Sequence, residues 1–136
     1  MREIKFRAWD NEKKTFVPQG EIVFKDYGET RWEVIPNCLE YVGDQCHNGE
    51  PQRGRFVVTQ YTGLKDKNGV EIYEGDILHE GDGTFWSRYE VVWFKNSCQF
   101  SLDCTRVSPN IQYPSWDRAS GMTIIGNIHS NPELLK

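Results

Sequence analysis

A mostly β fold is what this sequence predicts: a small SH3-like barrel with an additional N-terminal β-hairpin subdomain and a short C-terminal helical turn. Three observations carry it. Aromatic residues fill 13% of the 136 positions, with five Trp, six Tyr and seven Phe, a population that suits pleated sheets better than helices. Twelve glycines and recurrent turn dipeptides punctuate the chain, as short strands require. Directly after Asn68-Gly69, Val70 to Tyr73 alternates apolar and polar residues, the pattern of a half-buried strand leaving a tight hairpin.

The elements follow in order. Glu3 to Trp9 places Ile4, Phe6 and Ala8 on one face and Lys5, Arg7 and Trp9 on the other, an amphipathic first strand. The polar turn Asp10 to Lys13 folds Thr15 to Pro18 back against it,. Glu21 to Phe24 and Arg31 to Ile35 read as two more strands about a turn at Lys25-Asp26-Tyr27-Gly28, and Pro36 ends the second,. A short helix is expected near Cys38 to Tyr41, then loop from Asp44 to Arg53. Arg55 to Tyr61 is a strand by its β-branched and aromatic content,.

Thr62-Gly63 is expected to turn, and Asn68-Gly69 to form a hairpin tip,. Glu74-Gly75-Asp76 breaks the next strand, with Asp76 expected to accept backbone N–H groups,. Ile77-Leu78 begins a strand that Gly81-Asp82-Gly83 interrupts,. Within Trp86 to Phe94, Tyr89, Val91 and Trp93 share one face and Glu90 and Val92 the other. Gln99 to Leu102 matches that strand across a turn at Lys95-Asn96-Ser97. Ser108 to Gly121 reads as a long loop, and Met122 to Ile128 closes the sheet. Asn131-Pro132-Glu133 starts one turn of helix, with Asn as cap and Pro at the first position,.

These elements group as an N-terminal β-rich subdomain, residues 1–55, and a small barrel with its C-terminal turn, residues 56–136. A second arrangement stays open, in which the first strand pairs with the closing strand and both parts share one sheet.

The segment Gln60 to Leu78 resembles the signature of the YopX family, small proteins encoded mostly by bacteriophages and prophages. Arg2 to Asp10 is similar to that family's start and Ile124 to Leu135 to its end. The stretches from about Glu21 to Arg55 and Asp103 to Ser120 match regions where members differ. The resemblance implies a phage or prophage origin, this architecture, and a non-enzymatic accessory role. The family has no established catalytic residues, so none carries over.

Net charge is −4 with no basic run, which disfavours bulk phosphate binding, because duplex affinity rests on Lys and Arg displacing counterions. No apolar stretch reaches the roughly 20 residues of a membrane span, and Met1-Arg2-Glu3 leads into no signal segment,. The expected location is the cytoplasm of a bacterial host. Cys38, Cys46, Cys98 and Cys104 would be reduced there, and their spacings, with only His47 close to one pair, do not fit a zinc knuckle,. No metal and no cofactor are expected.

Glu74, Asp76, His79, Glu80 and Asp82 gather acids and an imidazole within nine residues, residue types that can bind a divalent cation or perform acid–base chemistry. A metal-dependent hydrolase is nevertheless the least favoured of the functional readings. An extended strand would point Asp76 and His79 to opposite faces, so no pocket follows from the spacing and no catalytic residue is assigned. Phosphate-cradling glycine loops and nucleophile elbows are absent from the sequence,. Protein binding fits best: more aromatics than a small core hides would be buried against a copy of the chain or against a host or phage protein. Trp9, Trp86 and Trp93 are the expected interface anchors. The alternative is a nucleic-acid surface that stacks bases on aromatics such as Trp9, Trp32, Tyr61, Trp86 and Trp93. Lys5, Arg7, Arg53, Arg55 and Arg88 would line it,.

Overall fold

The computed structural model describes residues 3–18, 22–26, 32–36, 46–47, 50–51, 56–81, 87–105 and 114–136. The short helix expected near Cys38 to Tyr41 lies outside them. Twelve strands are described: β1 (Phe6–Asp10), β2 (Thr15–Phe16), β3 (Ile22–Asp26), β4 (Trp32–Pro36), β5 (Cys46–His47), β6 (Glu50–Pro51), β7 (Phe56–Lys65), β8 (Glu71–Tyr73), β9 (Asp76–His79), β10 (Arg88–Phe94), β11 (Gln99–Asp103) and β12 (Thr123–Asn127). Two short 3-10 helices, Trp116–Gly121 and Pro132–Leu135, complete the set. The mostly β class is therefore as the sequence predicts.

The chain forms two compact units, Phe6–Thr59 and Met1–Lys5 with Gln60–Lys136. The division falls inside β7, later than the sequence boundary, and the first five residues go with the larger unit. Lys5 explains that assignment: its carbonyl accepts the Tyr61 N–H at 2.8 Å and its ammonium lies 2.5 Å from Glu71.

In the smaller unit, β1 and β2 form the expected hairpin, with Trp9 opposite Phe16 and Asp10 opposite Thr15. Asp10 shapes the turn. It is wholly buried, and its Oδ1 accepts the N–H groups of Glu12 and Lys13 at 2.9 and 3.2 Å, an Asx turn. The amphipathic pattern read for the first strand holds only in part: Ile4 lies ahead of β1 and is 68% exposed, while Ala8 and Trp9, on opposite faces, are both buried. β3 and β4 pair antiparallel from Ile22–Pro36 to Asp26–Trp32, so Lys25 and Asp26 extend the strand in place of the turn expected there. β5 pairs with β6.

In the larger unit the second half of β7 pairs with β8, and four antiparallel strands run in the order β11-β10-β9-β12. The first strand does not pair with the closing one; β12 pairs with β9. Thr62-Gly63 is no turn either. Gly63, at φ 89, sits within β7, where the pairing shifts between Tyr61–Tyr73 and Lys65–Glu71. The left-handed glycine absorbs a β-bulge, and the strand continues to the true tip at Gly69, φ 81,.

One face of this sheet is core. Leu78, Tyr89, Val91, Phe100 and Leu102 pack with Ile72, Cys104, Ala119 and Met122. The 3-10 helix Trp116–Gly121 covers part of it, with the Trp116 ring 6.0 Å from Phe100. The sequence read this segment as loop because a six-residue 3-10 helix that buries Ala119 alone leaves no periodicity to detect,. Ile77 points to the other face, as the strand pleat requires, and packs with Leu135, Ile128 and Leu134,. The C-terminal helix starts with Pro132 as expected, but Asn131 makes no side-chain cap; its carbonyl accepts the Leu134 N–H instead.

Gly126 permits this last packing. A Cβ there would lie 2.7 Å from Leu134 Cδ1 and 2.8 Å from Asn131 Oδ1. Gly126→Ala is expected to push the terminal turn outward and destabilise the fold by about 1–2 kcal/mol. Urea unfolding checks this, and an unchanged midpoint contradicts the packing described.

Candidate functional site

The acid cluster of the signature is dispersed by the strand that carries it. Asp76 is 1% exposed; its Oδ2 accepts the Tyr73 N–H at 2.8 Å and its Oδ1 the Asn127 side-chain amide at 3.1 Å. It closes the turn that the sequence assigned to it. Glu74 is half-buried, and burial pushes its carboxyl up from the usual range. His79 stands opposite Arg88 and Thr123 in the ladder, and its Nε2 is buried without a hydrogen-bond partner. Glu80 accepts a 2.5 Å hydrogen bond from Arg118, and Asp82 lies outside the described residues. Among the described residues, no three of His, Cys, Asp and Glu are placed to hold a metal ion.

Of the cations proposed for a nucleic-acid groove, the three described, Lys5, Arg7 and Arg88, are engaged within the chain. Lys5 bridges Glu71 at 2.5 Å and Glu3 at 3.0 Å, bonds that hold its ammonium well above its ordinary pKa. Tyr73 donates to the other Glu71 oxygen at 3.0 Å. Arg7 stacks 4.4 Å over Phe16 and donates to Thr59. Arg88 donates from Nη1 to the Leu134 carbonyl at 3.1 Å. Arg53 and Arg55 lie outside the described residues, as does the Trp32 side chain.

The aromatics divide sharply. Trp9 and Tyr61 are each 4% exposed. Trp9 meets Phe16 edge to face at 5.0 Å, and Tyr61 lies 5.5 Å from Tyr73. Burial, then Glu71, raises the Tyr61 phenol pKa. Trp86 is outside the described residues. Trp93 is different: it is 42% exposed, with its neighbour Phe94 at 47%. Successive strand residues point to opposite faces, so the end of β10 presents a large aromatic on each side. Trp93 leans on Phe100 edge to face at 5.1 Å. Phe94 and Val92 line a cavity of about 190 Å³ with Ser97, Gln99, Ser101 and Asp103.

That groove was not read from the sequence, although a signal was present. Phe94 extends the alternation of Glu90 and Val92 by one step, an aromatic where a solvent face should be polar. Val92 pairs with Ser101 and Phe94 with Gln99, so the apolar side chains of β10 stand beside polar ones of β11 on this face.

A family model described as YopX protein matches residues 5–136. Among solved structures, the crystal structure of protein EF1440 from Enterococcus faecalis is similar, with a TM-score of 0.61, 26% identity and 100% of both chains covered. None of the curated protein sequences matches the chain.

Proposed function

The chain belongs to the YopX family, and from that premise we propose that it acts by binding another protein through the outer end of the β10–β11 hairpin. One observation carries the reading: Trp93 and Phe94 stand exposed on opposite faces of the same strand end, and Phe94 borders a groove. Rigid aromatics beside a concave surface are the residues that dominate protein interfaces. Of the three expected anchors, Trp93 remains in this role, whereas Trp9 belongs to the chain's own packing. The SH3-like description of the larger unit and the role of a phage or prophage accessory protein in the bacterial cytoplasm belong to the same proposal. Nucleic acid is the weaker reading, because Lys5, Arg7 and Arg88 are already engaged and the net charge is −4,.

The test is capture of partners by the tagged protein from a lysate of its phage-infected host, split into nuclease-treated and untreated halves. The expected result is a stoichiometric protein that survives nuclease and is lost with Trp93→Ala/Phe94→Ala. Against the purified partner, that pair should lose at least about 2 kcal/mol, roughly thirtyfold in Kd. Partners that vanish with nuclease, or that the double variant retains, would overturn the reading.

A further inference from the structure

We propose that β11 is a self-pairing edge, and that a second copy of this chain adds antiparallel to it about a two-fold axis through Ser101. This rests on the hairpin being a protein-binding surface and names one occupant of it. The sheet β11-β10-β9-β12 has two edges. At the start of β12 the outer edge is engaged: Asp66 accepts the Ile124 N–H at 3.1 Å, and just before the strand the Lys67 N–H donates to the Met122 carbonyl at 3.0 Å. Among the described residues, no strand pairs with the outer side of β11. The strand carries few of the devices that protect an edge: Gln99-Phe100-Ser101-Leu102-Asp103 has one charge, contains no Pro and no Lys, and pairs with β10 without a bulge.

The strand is complementary to itself. In an antiparallel pair centred on Ser101, all five residues find a partner, and side chains on each face meet the same face of the other copy. Gln99 then opposes Asp103 of the second copy, twice, so the strand's one charge meets an amide donor and never its own copy. Ser101 meets Ser101, and Phe100 meets Leu102 of the second copy, continuing the apolar face across the junction. A two-residue slip pairs three residues in place of five, and a one-residue slip turns the apolar face toward water. A contact in which each copy offers the same patch closes as a dimer.

Light scattering after size-exclusion chromatography provides the test. Wild type is expected at the mass of two chains. Ser101→Lys sets two ammonium groups opposite each other on the outer face and should halve that mass while leaving the melting temperature nearly unchanged. Ser101→Cys should form a disulfide-linked dimer on mild oxidation, with peptide mass analysis joining the two 101 positions; this decides the register even if the lysine variant does not fold. A monomeric wild type, or a dimer that Ser101→Lys leaves intact, overturns the proposal. Neither result decides the partner-capture reading, which is scored on wild type and Trp93→Ala/Phe94→Ala; Ser101 lines the Phe94 groove, so capture is not scored on the lysine variant. A chain that dimerises through position 101 but captures nothing sinks that reading alone.

Discussion

Asp66→Ala is expected to lower stability by about 3 kcal/mol, about 10 °C in Tm. Asp66 is 6% exposed, at the start of the signature hairpin tip. Its Oδ1 accepts the N–H groups of Asn68 at 2.8 Å and Val70 at 2.9 Å, and its Oδ2 reaches the Ile124 N–H at 3.1 Å, 58 residues away. One carboxyl thus shapes the turn and staples it to the closing strand. Alanine leaves all three donors without an acceptor. Water can reach the two at the tip, and most of the loss should come from the third. Asp66→Asn, which keeps one carbonyl oxygen, should cost less. A urea midpoint within about 1 kcal/mol of wild type for the alanine variant would contradict the staple.

The same carboxyl gives a pH dependence. Burial pushes its pKa up, but the N–H donors of Val70, Ile124 and Asn68, aided by the Lys67 charge, outweigh this and hold it below its ordinary 3.8. A folded-state value below the unfolded one means that the native state favours the ionised form. The contribution is complete above pH 3.8 and is lost as pH falls through the folded-state value,. Acid titration of stability should show this component in wild type and not in Asp66→Asn; equal acid slopes in the two proteins would argue against it.

Asp76→Ala is expected to cost about 3 kcal/mol and Asn127→Ala about 2 kcal/mol, with the double variant well short of their sum. Asp76 is 1% and Asn127 4% exposed, and they stand opposite each other on β9 and β12. Asp76 holds the Tyr73 N–H and the Asn127 amide, while Asn127 Oδ1 accepts the His129 N–H at 2.9 Å. Next to them, Gly75 at φ 85 donates to the Val91 carbonyl and accepts from Ile128. Either single variant strands the other's buried polar group, so the second removal adds little. Additive losses would show that the two residues act separately.

These two carboxyls show why the signature segments look alike in form but could be read only in part. Asn68-Gly69 and Glu74-Gly75-Asp76 announce turns through backbone chemistry that acts over three or four residues. Asp76 reads as the acceptor of its turn on that ground. Its bond to Asn127 spans 51 positions and depends on β12 lying beside β9, which no local pattern encodes. The candidate site divides likewise. The two faces of β10 were legible from alternation, yet which tryptophan stays outside was not: Trp9 is 4% exposed and Trp93 42%.

By itself, then, the sequence determined the class of fold, most strand positions, the hairpin tip, the Asp76 turn and the family, because turn residues and side-chain alternation act through near neighbours. Tertiary structure alone decided that the closing strand β12 pairs with β9 and not with β1, that Gly63 bulges a strand it was expected to end, and that Trp93 at the end of β10 stays exposed. Burial and strand order are set by residues far apart in the chain, and the free energy that selects among them is a sum over the whole packed unit.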